Sequence, residues 1–572
     1  MIVMTKRLRS WRLLLCQDDE EVESPSQAQA DLRWPPIRPV QPAQQEAAIP
    51  IEAPTETPTE ISLFLPSTDG IQMEPINKFD FKWRQIPPQL RREHFIQNTG
   101  PTRAYVDPYD AFVAIWDRPI MEHIVRETNK YAEQLCEAII VQGIAPNSRI
   151  TKWVDTSVDE LYTYFAIIQA TGIVIKSRLE EYWSTSANIF ITPEFSAAMS
   201  YDRFCLLNKC LHFNDNALCS TERLNNSEAK LHKLQPILQH LNDKFTSLYM
   251  LGQNIALDES LTMWKGRLNI KQHIPNKAAT VGIKTYEICE SQTGFLWRFE
   301  VEARQVSTSE EKTNPLSGKI PTLVLRLLRG LEHKGHTVWM DNFYNSPTLA
   351  RELKVQGFDC VGTLRTNRQY VPAELTNLQL KDMAVGQVCG CTSGDVDLIV
   401  WRDKNRIALI STYHGLTTVE DADTIKPALI ADYNICMGGV DKKDQMLAMY
   451  PIERNRNKIW YKKIFRRLLN ASTLNAFILL KAFKQFTHRQ FRQTLVLQLL
   501  ERHNTNRSRN RPALLSQRHV QQHFERPAAG SNDTKRHIRR KCVVCSKRTT
   551  TFCEGCSGKA LCVPKCFSQY HE

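Results

Sequence analysis

The densest chemistry in the chain lies at its carboxyl end, in the pattern Cys542-x2-Cys545-x7-Cys553-x2-Cys556-x5-Cys562-x3-Cys566-x4-His571. Two CxxC pairs followed by further Cys and His residues are a ligand set for tetrahedral zinc, which takes thiolate and imidazole. Seven ligands are visible and two zinc ions need eight, so His523 or His537 is expected to complete the set. Their order predicts an interleaved cross-brace. Cys542, Cys545, Cys562 and Cys566 would hold one ion, and Cys553, Cys556, His571 and the upstream histidine the other. A segment this short, without a sizeable apolar core, draws its folding energy from the metal.

A second set of candidates is acidic. Asp258 ends the apolar run that starts at Asn254, Asp341 ends the run Thr337–Met340, and Asp441, with Asp444, opens a helix after a Gly-Gly turn (GGVDKKDQ). Ligands gather at strand ends of an α/β sheet, because its helix-covered faces are closed. Mg²⁺ prefers oxygen ligands, and two such ions can stabilise both the attacking and the leaving oxygen of a phosphodiester. Taken singly, each acid reads more readily as a turn or cap residue or, for Asp441 and Asp444, as a complement to a helix dipole.

The elements needed to carry these groups can be read from pattern. Residues 105–250 place Phe112, Ile115, Trp116, Ile120 and Ile124, then Leu161, Phe165 and Ile168, at helical spacing. From about Gly252 the texture changes. Val281–Cys289 and Phe295–Val301 alternate like neighbouring strands, and Pro321–Leu331 reads as an amphipathic helix. Thr337–Met340 is a strand, Thr348–Val355 a helix and Phe358–Thr363 extended, which together fit an α/β layer on a mixed sheet. Leu375–Ala422 is more polar and reads as an insertion. Beyond it a basic helical stretch puts Ile464, Phe465, Leu468 and Leu469 on one face, with Lys462, Lys463, Arg466 and Arg467 largely off it.

Composition sets the class. The 572 residues exceed one compact core, and no run reaches the roughly 18 apolar residues of a membrane span. A soluble intracellular protein is expected. Ten cysteines scattered from Cys16 to Cys436 read as reduced core residues, not as a disulfide framework. The net charge of +13 is concentrated: from Pro451 to Lys541 there are 22 Lys/Arg against 4 Asp/Glu, so the rest of the chain is net acidic. Such a segment seeks a polyanion, a solvated face being the plainer alternative. Residues 17 to about 75, rich in Pro, Gln, Glu and Ala, are expected to be disordered.

LDESLTMWKGR (257–267), IPNKAATVGIKTYEICESQTG (274–294), VWMDNFYNSPTLARELKVQG (338–357), VGTLRTNR (361–368) and DYNICMGGVDKKDQM (432–446) resemble successive blocks of piggyBac family transposases, in that family's order. The resemblance runs from about Lys82 to the carboxyl end. It implies an α/β RNase H-like catalytic domain with an insertion, flanked by α-helical dimerisation and DNA-binding regions and ended by a cross-brace zinc-binding domain. The corresponding boundaries are 1–76 (disordered), 77–250 (helical), 251–370 (catalytic), 371–425 (insertion), 426–456 (catalytic), 457–500 (helical), 501–541 (basic linker) and 542–572 (Cys-rich).

By motif, Asp258, Asp341 and Asp441 are the implied catalytic aspartates, holding Mg²⁺ or Mn²⁺, and Asp444 matches a further required acid. The implied partner is double-stranded DNA: the ends of a transposon are nicked, a hairpin forms, and joining occurs at TTAA targets. A homodimer acting in the nucleus is expected, with no membrane partner. Trp460 matches an aromatic placed at target DNA, although the pattern alone fits a core Trp equally well. Lys462, Lys463, Arg466 and Arg467, and the run Lys535, Arg536, Arg539, Arg540 and Lys541, are expected phosphate contacts or, for the run, a nuclear import signal.

Two other readings stand beside this one. The chain could be a transposase-derived DNA-binding protein that no longer cuts, or its tail a RING-like ubiquitin ligase. The short x7 gap and the lack of a RING-type Cys-x-His weigh against the last.

Overall fold

The computed structural model describes residues 79–85, 91–142, 148–185, 190–218, 226–274, 280–303, 316–421, 424–453, 459–504, 521–523, 539–553, 558–563 and 565–571. The expected disordered segment 1–76 lies outside them, as does most of 501–541.

The helical stretch expected over 105–250 folds as α1 (Pro108–Ile115), α2 (Arg118–Gln142), α3 (Val158–Ile173), α4 (Tyr201–Cys210) and α5 (Gln235–Leu248), with shorter turns between. Their starts follow from local chemistry. At α3 the Ser157 side chain accepts from the Glu160 amide, and Asp159 and Glu160 complement the positive end of the helix.

Among the described residues, ten strands form one mixed sheet, with the remaining short strands in small separate sheets. The ten are β1 (Arg84–Gln85), β2 (Asn254–Met263), β3 (Lys271–His273), β4 (Val281–Glu290), β5 (Leu296–Val301), β6 (Thr337–Met340), β7 (Asp359–Thr363), β8 (Val388–Thr392), β9 (Asp397–Arg402) and β10 (Arg406–Ser411). Their order is β1–β8–β9–β10–β7–β6–β2–β4–β3, and β5 also pairs with β4. Only β2–β6 and β6–β7 are parallel. Parallel neighbours require a crossover, supplied by α6 (Lys319–Leu328) ahead of β6 and α7 (Pro347–Val355) between β6 and β7.

Three features differ from the sequence reading. The run from Asn254 does not end at Asp258: β2 continues to Met263, because the alternating residues beyond Asp258 pair with β4 along its length. The expected insertion adds β8, β9 and β10 to the same sheet, through β10 pairing with β7. The polar positions of β4 do not face solvent, since Lys284, Thr285, Glu287 and Glu290 are all buried.

Beyond the sheet come α8 (Ala428–Cys436), α9 (Gly439–Ala448), α10 (Trp460–Lys481) and α11 (His488–His503). α10 is buried on nearly every side and packs with the amino-terminal helices in a core running from Tyr105 to Leu500. Trp116 meets Phe165 and Phe465 edge-on, at centroid distances of 5.4 and 5.7 Å. Such pairs contribute about 0.5–1.5 kcal/mol beyond their buried area.

The amino-terminal piece is strapped to the sheet. β1 pairs with Thr392 and Cys391, Trp83 Nε1 donates to the Tyr370 carbonyl at 2.9 Å, and the Arg351 guanidinium lies over the Phe81 ring. No helix among the described residues is long and apolar enough to cross a membrane.

Candidate functional site

The parallel register of β2 and β6 pairs Leu257 with Met340, so Asp258 within β2 and Asp341 just past the end of β6 are the next residues on neighbouring segments. Asp341 leaves its strand in a tight turn. Its Oδ1 accepts from the Phe343 amide at 2.8 Å, and its carbonyl from the Tyr344 amide at 3.2 Å. Asn345 Nδ2 locks this turn, donating to the carbonyls of Met340 and Thr363 at 3.0 Å each. The closeness of β6 and β7 here demands glycine: a Cβ on Gly362 would stand 1.8 Å from the Met340 carbonyl oxygen.

α9 brings in the third acid. Ala256, Asp258 and Ser260 share one face of β2, because strand side chains alternate. Gly439 lies against this face at Ala256, where an added Cβ would meet the Ala256 Cβ at 3.1 Å. Five residues on, Asp444 Oδ2 accepts from Ser260 Oγ at 2.9 Å. Asp441, in the first turn, sits between anchors that flank Asp258 on the strand. Burial raises the pKa of the Tyr433 hydroxyl, and the charges of Asp341, Asp258 and Asp441 all act on it in the same direction.

Asp444 lies among cations. Its Oδ1 pairs with Lys443 Nζ at 2.8 Å and with Arg467, from α10. Burial alone would raise its pKa, but Lys443 and Arg467 outweigh that and bring it to about 2. Its carboxylate is thus engaged by the protein's own cations.

The basic face expected on α10 is corrected by its burial. Lys462 Nζ donates to the carbonyls of Asn208 and Lys209 at 2.8 and 2.7 Å. Arg466 reaches the Asn208 Oδ1 and the Ile452 carbonyl, and Lys463 is only 4% exposed. Arg467 is turned to Asp444, Ser260 and Glu453. Lys462, Lys463 and Arg466 are buried, with Asn208, Lys209 and Ile452 taking the donors of Lys462 and Arg466, and the partly exposed Arg467 is held by Asp444; they do not form an open phosphate-binding face. Trp460 is half-buried against the core. Arg539, Arg540 and Lys541 are exposed, whereas Lys535, Arg536 and His537 lie outside the described residues.

In the tail, the candidate ligand atoms of Cys542, Cys545, Cys562 and Cys566 all lie within 4.8 Å of one another. Cys545 and Cys562 sulfurs are 3.7 Å apart, close to the ~3.8 Å edge of a tetrahedron with Zn–S bonds of about 2.3 Å. Burial works against a thiolate at Cys542, but amide donors at Cys545, Cys562 and Val544 bring its pKa down to about 6. The four cysteines fit one zinc ion, in the expected grouping. The second group is only partly described. Cys553 is buried on the strand Thr551–Cys553, next to Gln521–His523, which sets His523 opposite Thr551. His571 closes the helix Lys565–His571, and Cys556 lies outside the described residues.

Sequence reasoning missed Tyr433, Glu287 and Lys443, whose roles depend on contacts between distant segments. It also passed over two arginines beside the Asp341 turn. Arg365 Nε donates to Asn342 Oδ1 at 3.0 Å and Arg368 Nη2 to the Asn342 carbonyl at 3.0 Å. Only the VGTLRTNR block, not spacing, could have drawn attention to them.

Comparison with known proteins adds a family. The profile described as Transposase IS4 matches residues 107–477. The chain is 25% identical over 565 residues to human PiggyBac transposable element-derived protein 3, covering 92% of this chain and 88% of that one. It is equally similar to the human Chimeric ERCC6-PGBD3 protein, of which it spans 49%. Among solved structures, the cryo-EM structure of a piggyBac transposase synaptic complex with hairpin DNA matches with a TM-score of 0.62 at 24% identity. That match covers 73% of this chain and 85% of the other.

Proposed function

Because the chain belongs to the Transposase IS4 family, among relatives of the piggyBac kind, we propose that it is a DNA transposase whose reacting centre is built by Asp258, Asp341 and Asp441. The observation that carries this reading is the parallel register that pairs Leu257 with Met340, the residues just before Asp258 and Asp341, together with the Ser260–Asp444 hydrogen bond that seats the Asp441 helix on the same strand. Oxygen ligands on one strand, just past the end of its neighbour and at one helix start suit hard divalent cations. A pair of Mg²⁺ or Mn²⁺ ions held there would stabilise the attacking and leaving oxygens of a phosphodiester.

The chain's own residues do the rest. β2 and β6 hold Asp258 and Asp341 side by side, and α9 presents Asp441. Arg365 and Arg368 supply positive charge beside the Asp341 turn. The strand order around β5, β4, β2, β6 and β7 supports an RNase H-like catalytic domain. Excision by nicking and hairpin formation, integration at TTAA, a dimer that joins two DNA ends and action in the nucleus belong to the same reading. So do two zinc ions in the tail, with exposed Arg539, Arg540 and Lys541 leading into it as phosphate contacts.

The test is direct. Purified protein with Mg²⁺ or Mn²⁺ should nick a terminal-inverted-repeat duplex, and Asp341→Asn should abolish nicking while leaving binding intact. A second reading, DNA binding without cleavage, takes its support from the transposable element-derived names of the human relatives. Specific binding with no nicking by the wild type would select it.

A further inference from the structure

We propose that Lys443 is a positioning residue: an internal cation, held between Glu287 and Asp444, that sets α9 so that Asp441 faces Asp258. This rests on the reading of Asp258, Asp341 and Asp441 as a divalent-metal site.

The network is ordered, with each member fixed by another element. Lys443 is 1% exposed and ion-pairs with Glu287 and Asp444. Glu287 on β4 is the direct cross-strand partner of Asp258 on β2. Its Oε1 accepts from Thr285 Oγ1 at 2.9 Å, and Thr285 is in turn the cross-strand partner of Ser260. Ser260 Oγ donates to Asp444, and Arg467 from α10 closes the circuit on Asp444 while reaching toward Glu453 at 3.7 Å. Glu287 and Ser260 therefore mark the sheet positions opposite and beyond Asp258, and Lys443 and Asp444 seat α9 on both.

A buried ion pair is an expensive way to hold a helix. Well-packed apolar residues of similar volume are often as stabilising or more so, and the clearest benefit of charge is in fixing register. An apolar contact tolerates sliding; an ammonium between two carboxylates does not. The register matters here because a slip of one residue along α9 would rotate Asp441 by about 100° about the helix axis. Lys443 also places positive charge against Glu287, the cross-strand neighbour of Asp258. Such supporting groups behave like those that orient metal ligands elsewhere, where their loss weakens metal affinity without touching the ligands.

Full-length protein should be titrated with Mn²⁺, with free ion read by electron paramagnetic resonance and thermal unfolding followed in parallel. Asp341→Asn identifies the binding that belongs to the acids. Lys443→Met leaves Glu287 buried without its cation and should lower the unfolding temperature. Lys443→Met/Glu287→Met replaces the pair by apolar groups and should regain the wild-type unfolding temperature. In that double variant Mn²⁺ binding at the acids should remain weakened by about 10–100-fold. A double variant that binds Mn²⁺ like the wild type, or one that fails to fold, overturns the positioning role. Mn²⁺ binding unchanged by Asp341→Asn overturns instead the reading of the acids, and this proposal with it.

Discussion

The proposed acid site and the cysteine tail gather their candidate ligands by opposite means. The acids come from β2, from the turn after β6 and from the first turn of α9, segments separated by most of the chain's middle. A core extending from Tyr105 to Leu500 holds together the elements that carry them. The four tail cysteines lie within 25 residues of sequence, around a small cluster of Cys542, Cys553, Leu561 and Cys566. In the first region the fold brings the acids toward one another; in the second the proposed zinc ion would create the fold.

The contrast can be broken in three places. The largest effect should come from zinc removal. Structural zinc contributes roughly 10–16 kcal/mol to such small units, so Cys545→Ser or chelation should unfold the tail while the body melts as before. Loss of amide signals from 539–571 alone, by nuclear magnetic resonance, would meet this expectation. Joint melting of both regions would contradict it.

A second test strikes the close contacts of the acid site. Gly362→Ala should cost more than about 4 kcal/mol, since its Cβ cannot coexist with the Met340 carbonyl. Gly439→Ala, whose Cβ would meet Ala256 and Glu290 at 3.1 and 3.0 Å, should cost about 1–3 kcal/mol. Urea unfolding monitored by Trp fluorescence measures both, and zinc content should not change.

The smallest effects concern the two sets of basic residues. Burial holds the Lys462 pKa down at about 7, so the unfolded chain binds one more proton than the folded chain between there and the ordinary lysine range. Stability should therefore rise with pH above 7, and Lys462→Met should flatten that rise in calorimetry between pH 7 and 9. Lys462→Met should leave the salt dependence of DNA binding unchanged. Arg540→Ala and Lys541→Ala, at exposed positions, should each lower the log–log salt slope by about one.

What the sequence disclosed follows the same division. The Cys542, Cys545, Cys562 and Cys566 grouping was legible because ligand type and spacing are local. Asp258 and Asp341 stood out as acids after apolar runs, and β6 and α7 fell nearly where periodicity put them. The side chains of α10 were misjudged because periodicity locates an apolar stripe but not what covers the remainder. Asn208, Lys209 and Ile452, far away in sequence, enclose Lys462 and Arg466. Glu287 and Lys443 were illegible for the same reason. An alternating strand such as β4 looks half-exposed until another element covers its polar side.

The strap formed by Phe81, Trp83 and β1 has a practical consequence for shortening the protein. Cys391 and Thr392 are paired by Gln85 and Arg84, so a chain starting after Gln85 would present β8 as an open border of hydrogen-bonding groups. Unpaired strand borders invite other chains to join them. A truncated product of that design should be expected to self-associate in solution, and its insolubility would say nothing about the integrity of its acids.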